Sequence, residues 1–259
     1  IYYPAWYLGK HPDHKVIVAS HTADLAVVMA RKVRNLIQSP EYAEIFPNTR
    51  IASDAKAAAQ WNTTAGGEYF AIGVGGALAG RGAHLIIADD PLSEQDIKSG
   101  NTNSLDTLYD WFSAGLRTRL MPNGKICVLH TRWHMRDLIG RFLKDSDGGD
   151  VYEPFEFPAI LNENTENEKS LWPEQWTLES LQQTRASMHH ITWQWYAQYQ
   201  QNPTASKAAI IKREWIRWWE KEEPPSVEFM VQSFDTALTT KQRSDYSVCH
   251  TWLNKRDFA

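Results

Sequence analysis

Only two cysteines, Cys127 and Cys249, occur in 259 residues. Two thiols cannot build a disulfide framework, so they read as free thiols in a reducing compartment. Long apolar runs are also missing. None approaches the roughly 18 residues of a membrane span, and the opening residues do not read as a basic-then-apolar leader. No membrane partner is expected. An excess of basic charge is absent too: the formal net charge is −4. That excludes a whole-surface clamp on nucleic acid and leaves room for a local basic groove. No G-x-x-x-x-G-K-[ST] phosphate loop occurs anywhere in the chain. The chain starts at Ile1 and stops at "KRDFA" in mid-pattern, so it is expected to be a fragment of a longer polypeptide.

What is there belongs to a soluble globular protein, 42% hydrophobic and 22% charged, with room for one or two domains. Most of its 12 tryptophans lie after position 170, which favours aromatic packing there over a disordered tail. "YYPAWYLGKHP" reads as the tail of a helix stopped at Gly9. "KVIVAS" is a short apolar strand. It leads into a helix with Leu25, Val28, Met29, Val33, Leu36 and Ile37 at helical spacing. "QWNTTAGGEYFAIGVGG" predicts a hairpin turning at Gly66-Gly67. "HLIIADD" is the next strand, followed by a helix facing inward with Leu105, Leu108, Tyr109, Phe112 and Leu116. Pro122-Asn123-Gly124 turns into the strand "KICVLHT", and Met135, Leu138, Ile139, Phe142 and Leu143 mark another helix. Unbroken apolar strands alternating with helices predict an α/β fold, a largely parallel sheet covered on both faces.

In an open α/β sheet, ligands bind at the carboxyl ends of the strands. Three strands here end in polar groups: Ser20-His21-Thr22, Asp89-Asp90 and His130-Thr131-Arg132. An apolar strand ending in two acids has the form of a Walker B segment. Its first carboxylate helps to hold Mg²⁺ and its second polarises the attacking water. The bland alternative is a helix cap or turn with Pro91 at the first helical position. The glycine-rich "GGALAGRG" permits close backbone approach, and its Arg81 has the reach to meet a phosphate. A plain surface turn with a solvated arginine is the competing reading.

Five segments in this order, "YPAWYLGKHPDHKVIVASHT", "GALAGRGAHLIIADDP", "VLHTRWHMRDLIGRFL", "REWIRWW" and "SFDTALTTKQRSDYSV", resemble the large subunit of the terminase of tailed bacteriophages. The resemblance spans nearly the whole chain. It implies a P-loop (ASCE-type) ATPase-like sheet over residues 1–203, a connector at 204–225, and the start of an RNase H-like nuclease domain at 226–259. Asp89 is then the magnesium carboxylate and Asp90 the catalytic one, an Asp-Asp pair in place of the commoner Asp-Glu. Thr131 and Arg132 fall in a coupling segment that senses the γ-phosphate of ATP. A helix-capping Arg132-Trp133 pair is the alternative. Ala79 stands where the family often carries threonine and is given no polar role. The missing phosphate loop is expected upstream of Ile1, and without it the chain alone is expected to be inactive.

In "QSFDTALTTKQRSDYSV", the resemblance makes Asp235 the first nuclease metal ligand and Asp245 a nearby second acid. They would bind Mg²⁺ or Mn²⁺ for phosphodiester cleavage. A turn-capping role is the alternative for Asp245, and the remaining ligands are expected beyond Ala259. His130 and His134 lack a third ligand for zinc. His189-His190 is a solvated face. "REWIRWWEK" reads as connector packing, with stacking on DNA bases as the alternative. The resemblance further implies double-stranded DNA, a portal protein, a small terminase subunit and further copies of the chain as partners, in the cytoplasm of a bacterial host. A helicase-like ATPase without nuclease, or an inactive interaction module of the same fold, stays open as an alternative function.

Overall fold

Helix α1 (Tyr2–Lys10) passes through Gly9, where the sequence predicted a stop. The glycine serves packing: a Cβ there would lie 2.6 Å from the Phe46 ring. Strand β1 (Lys15–Ser20) is buried along nearly its whole length. Helix α2 (Ala23–Ile37) is capped by the Thr22 hydroxyl, which accepts from the Leu25 backbone N–H at 3.3 Å. Its buried face differs from the expected one. Ala26, Ala30, Val33 and Ile37 point inward, while Leu25 and Val28 are nearly half exposed. Val33 and Ile37 keep the predicted face, and Ala26 and Ala30 complete it in place of Leu25 and Val28.

A short helix, α3 (Pro40–Ile45), is followed by β2 (Gln60–Asn62) and β3 (Glu68–Gly73). These two form the predicted hairpin, with Gly66 at φ +92°, a value that only glycine adopts freely. Next come β4 (Ala83–Asp89), α4 (Glu94–Lys98) and α5 (Asn103–Asp110), which runs into a π-helical turn at Trp111–Leu116. Strand β5 (Leu120–Leu129) absorbs the predicted Pro-Asn-Gly turn as a bulge. Its register against β4 jumps from Ala83↔Leu120 to Leu85↔Lys125. Helix α6 (Leu138–Lys144) closes this part, starting three residues after Met135.

The five strands lie in the order β2-β3-β1-β4-β5. All neighbours but β2 and β3 are parallel. The α/β expectation therefore holds. Alternation along the strands divides the core in two. Val16, Val18, Leu85 and Ile87 face α1, α2 and α3, whereas Ile17, Ala19, Ile86 and Ala88 face α5, its π-turn and α6.

After residue 152 a two-stranded hairpin, β6 (Ile160–Leu161) and β7 (Lys169–Ser170), packs with α7 (Leu178–Ser187) and α8 (Thr192–Gln194). Ile160, Leu181 and Trp195 form their core. The acidic loop between β6 and β7 is ordered by charge, since Arg185 binds both Glu163 and Glu168.

The structure is a computed structural model and describes residues 1–53, 57–98, 103–144, 152–203, 229–235 and 248–254. It divides into two units, Ile1–Ala209 and Ile210–Ala259. The expected connector at 204–225, with "REWIRWWEK", lies outside the described residues. In the second unit β8 (Phe229–Asp235) and β9 (Val248–Asn254) form an antiparallel pair, the two strands predicted from the pattern. Both cysteines are free thiols. Among the described residues no helix is long and apolar enough to cross a membrane.

Candidate functional site

The three polar strand ends do converge. Ser20 pairs with Asp89, and Asp89 pairs with Leu129, so β1, β4 and β5 finish side by side. The backbone N–H of Asp90 donates to the Leu129 carbonyl at 2.8 Å. In return the Thr131 N–H donates to Asp90 Oδ1 at 3.2 Å. Asp90 sits at φ +43°, the left-handed region, which costs a side-chain-bearing residue about 1 kcal/mol even though aspartate tolerates it best. Neither acid caps the next helix. That position belongs to Ser93, whose N–H and hydroxyl both bond Asp96 Oδ2 at 2.8 Å. Asp96 also takes His21 Nε2 at 3.1 Å, tying the end of β1 to the segment after β4.

Asp89 continues the alternation of Leu85 and Ile87, so it belongs to the α1–α2 face of the sheet. It is half-buried, and its carboxylate has no hydrogen-bond or ion-pair partner among the described residues. Burial pushes its pKa up, the neighbouring Asp90 pushes the same way, and the Ile1 amino group opposes them. A cavity of about 240 Å³ opens beside it, walled by Val18, Ile87, Cys127 and Tyr69 and by Ile1 and Tyr3 at the start of α1. Helix start and carboxylate thus share one space.

Arg81 does not join them. Its guanidinium binds Glu68 at 2.6 Å and Gln60 at 3.1 Å and lies 3.6 Å over the Phe70 ring. Glu68 pairs with Lys15, so this cluster occupies the amino ends of the strands, opposite Asp89. The expected phosphate contact is corrected by that register. Arg132 is likewise committed: its Nε donates to both oxygens of the fully buried Asp137 at 3.0 Å. Asp137 also accepts from the backbone N–H groups of His134 and Gly140, so it fixes the turn that starts α6. The helix-capping alternative for Arg132 therefore holds, through Asp137 rather than through Trp133.

His130 is a structural residue. Its Nδ1 bonds the Thr131 carbonyl at 2.7 Å and its Nε2 accepts from the Ile139 N–H at 3.2 Å, which fixes a neutral ring. Burial lowers its pKa in agreement. Asp235 ends β8 opposite Val248, and Asp245 lies outside the described residues. Among the described residues no cluster of three or more His, Cys, Asp or Glu side chains is arranged to hold a metal ion.

Sequence reasoning missed two residues here. Asp137 was open to discovery, since an aspartate directly before an apolar helical run is a capping signal. Tyr69 gave no signal, being one more bulky residue in a strand. Comparison with known proteins finds no matching family model and no matching curated protein.

Proposed function

We propose that the chain is part of a terminase large subunit, an ATP-driven DNA-packaging motor joined to a metal-dependent nuclease. The observation that carries the reading is Asp89: a half-buried carboxylate without a hydrogen-bond or ion-pair partner among the described residues, at the carboxyl edge of a parallel sheet and next to Asp90. Burying such a charge unpaired is costly, and a divalent cation is the partner that two adjacent acids best accommodate. Ile1, Tyr3 and Pro4 of the α1 segment line the same cavity. The phosphate loop required by this reading would lead into α1.

When bound, MgATP would supply the scissile phosphoanhydride and the compensating positive charge. Asp89 would hold the ion through its water shell. Asp90 keeps one oxygen on the Thr131 N–H, which leaves the other oxygen to orient and polarise a water. Thr131 therefore acts through its backbone in placing Asp90. Asp235, at the end of a two-stranded pair, is the proposed nuclease ligand. It is also what separates this reading from a helicase-like ATPase. In the full-length protein, Asp89→Asn and Asp90→Asn each abolish ATP turnover, while Asp235→Ala removes Mn²⁺-dependent plasmid cutting and spares the ATPase. Normal turnover in either sheet-edge variant defeats the motor reading, and unchanged cutting defeats the nuclease one.

A further inference from the structure

The arginine that fastens the start of α6 also lines a second pocket. This one is about 460 Å³ in volume and lies between α6 and residues 200–203, with Arg132, Lys144, Glu156 and Gln201 in its wall. It shares no lining residue with the Asp89 cavity. Concave spaces of this size are where small ligands and parts of larger ones bind.

Arg132 is held by one nitrogen only. Its Nε bonds Asp137, while neither Nη1 nor Nη2 has a partner among the described residues. The side chain is only 13% exposed, yet both terminal nitrogens reach solvent, because the sealed and unpartnered side-chain polar atoms among the described residues belong to Trp61 and Tyr69. Nη2 lies beside Gly140, another residue of the pocket wall, where a Cβ would come within 3.0 Å of it. The missing side chain leaves the fork uncovered. Asp137 is fully buried and outside the pocket wall, and it already accepts from Arg132, His134 and Gly140. It therefore orients the guanidinium without occupying its outer nitrogens.

Two more donors join the fork. The exposed Lys144 ammonium has no partner among the described residues. Gln201 accepts the Phe157 N–H on its Oε1 at 2.7 Å, which leaves its amide NH₂ free to donate. The wall holds one acid, Glu156, which pairs with neither cation among the described residues. A fixed guanidinium fork beside an ammonium is the arrangement that grips oxyanions, and its donors lose little freedom on binding. Together these groups offer more N–H donors than the two oxygens of a carboxylate can accept, whereas a phosphate presents at least three.

We propose that this pocket binds a phosphate group, held by the Arg132 Nη nitrogens, the Lys144 ammonium and the Gln201 amide. The site is separate from the carboxyl-edge acids, and it does not depend on the function proposed above. Nucleic-acid backbones and free phosphates both carry the group, and the test separates them.

Amide hydrogen exchange in the full-length protein is the measurement, in EDTA and with inorganic phosphate as the probe. Peptides covering residues 132–144 report locally, whatever else the full chain binds, and phosphate should slow their exchange. Lys144→Met and Glu156→Gln alter exposed side chains without partners among the described residues, so the fold is kept. The phosphate concentration giving half the protection should rise about three- to tenfold in Lys144→Met and fall about two- to fivefold in Glu156→Gln. Arg132→Lys keeps a cation for Asp137 but loses the fork, and should abolish the protection. No protection in the parent, or a half-point unmoved in either exposed-site variant, overturns the site. Parent-like protection in Arg132→Lys overturns the part given to the fork. A short DNA duplex then replaces phosphate as the probe. Protection by duplex that Lys144→Met weakens assigns the phosphate to a nucleic-acid backbone, and protection by inorganic phosphate alone assigns it to a free one.

Discussion

The two ends of the parallel sheet treat their charges in opposite ways. At the amino end the charged groups are answered by others, although the buried Trp61 indole N–H and Tyr69 hydroxyl are not. Arg81 binds Glu68 and Gln60, the Tyr7 hydroxyl meets His14 Nδ1 at 2.9 Å, and the Lys15 N–H donates to His84 Nδ1 at 2.9 Å. The rings of His11, His14 and His84 are stacked in sequence. At the carboxyl end, Asp89 has no hydrogen-bond or ion-pair partner among the described residues, and Asp90 sits in a left-handed conformation. On the function proposed above, the unanswered Asp89 carboxylate is where an external ligand would bind. Sites store such unfavourable features where binding can repay them.

The comparison is broken most forcefully at Asp137, which is paired although it lies near the open edge. Asp137→Ala strands the nearly buried Arg132 guanidinium and unfastens the start of α6. A loss of about 3–5 kcal/mol is expected in chemical denaturation. A loss under 1 kcal/mol would mean that the pair does not secure this turn. At the amino end, Arg81→Met keeps the stack on Phe70 but removes a partly exposed ion pair. It should cost only about 0.5–1 kcal/mol and, on the function proposed above, leave ATP turnover in the full-length protein unchanged. Abolished turnover would return Arg81 to the phosphate site.

Smaller still is the response of the amino end to acid. Burial holds the His14 pKa below its usual 6.5; His84 and His11 push it the same way, and Asp13 opposes them. Tyr7 from α1 and Lys15 from β1 complete its surroundings. Below pH 6.5 the unfolded chain takes up a proton that the folded ring resists. Stability is thus complete above that pH and declines as pH falls toward the depressed folded value. Amide exchange in α1 should quicken at pH 5.5 relative to 7.5 after correction for intrinsic rates. His14→Gln should flatten that dependence, and an unaltered pH profile in the variant would clear the stack of responsibility.

What the sequence revealed of this contrast follows from range. The strands were legible because Val16–Ala19 and Leu85–Ala88 are unbroken apolar runs, and a parallel sheet buries both faces of such runs. The convergence of Ser20, Asp89 and Thr131 followed from strand polarity alone. The position of Arg81 did not, because it is only eight positions from Asp89 in sequence while the strand between them carries it to the far edge. The face of α2 was legible at Val33 and Ile37 and missed at Ala26 and Ala30, since alanine carries little weight in a hydrophobic pattern. Tyr69 stayed invisible because an unsatisfied hydroxyl is a property of three-dimensional surroundings.

The claim that the carboxyl edge is kept unpaired is tested most directly by the stability of Asp89→Asn against the parent, in denaturant at pH 7 without divalent ions or nucleotide. Removing a charge that has no hydrogen-bond or ion-pair partner among the described residues should leave stability unchanged or raise it by up to about 1 kcal/mol. A loss of more than about 1 kcal/mol would show that the carboxylate is already held within the fold, and would contradict the account.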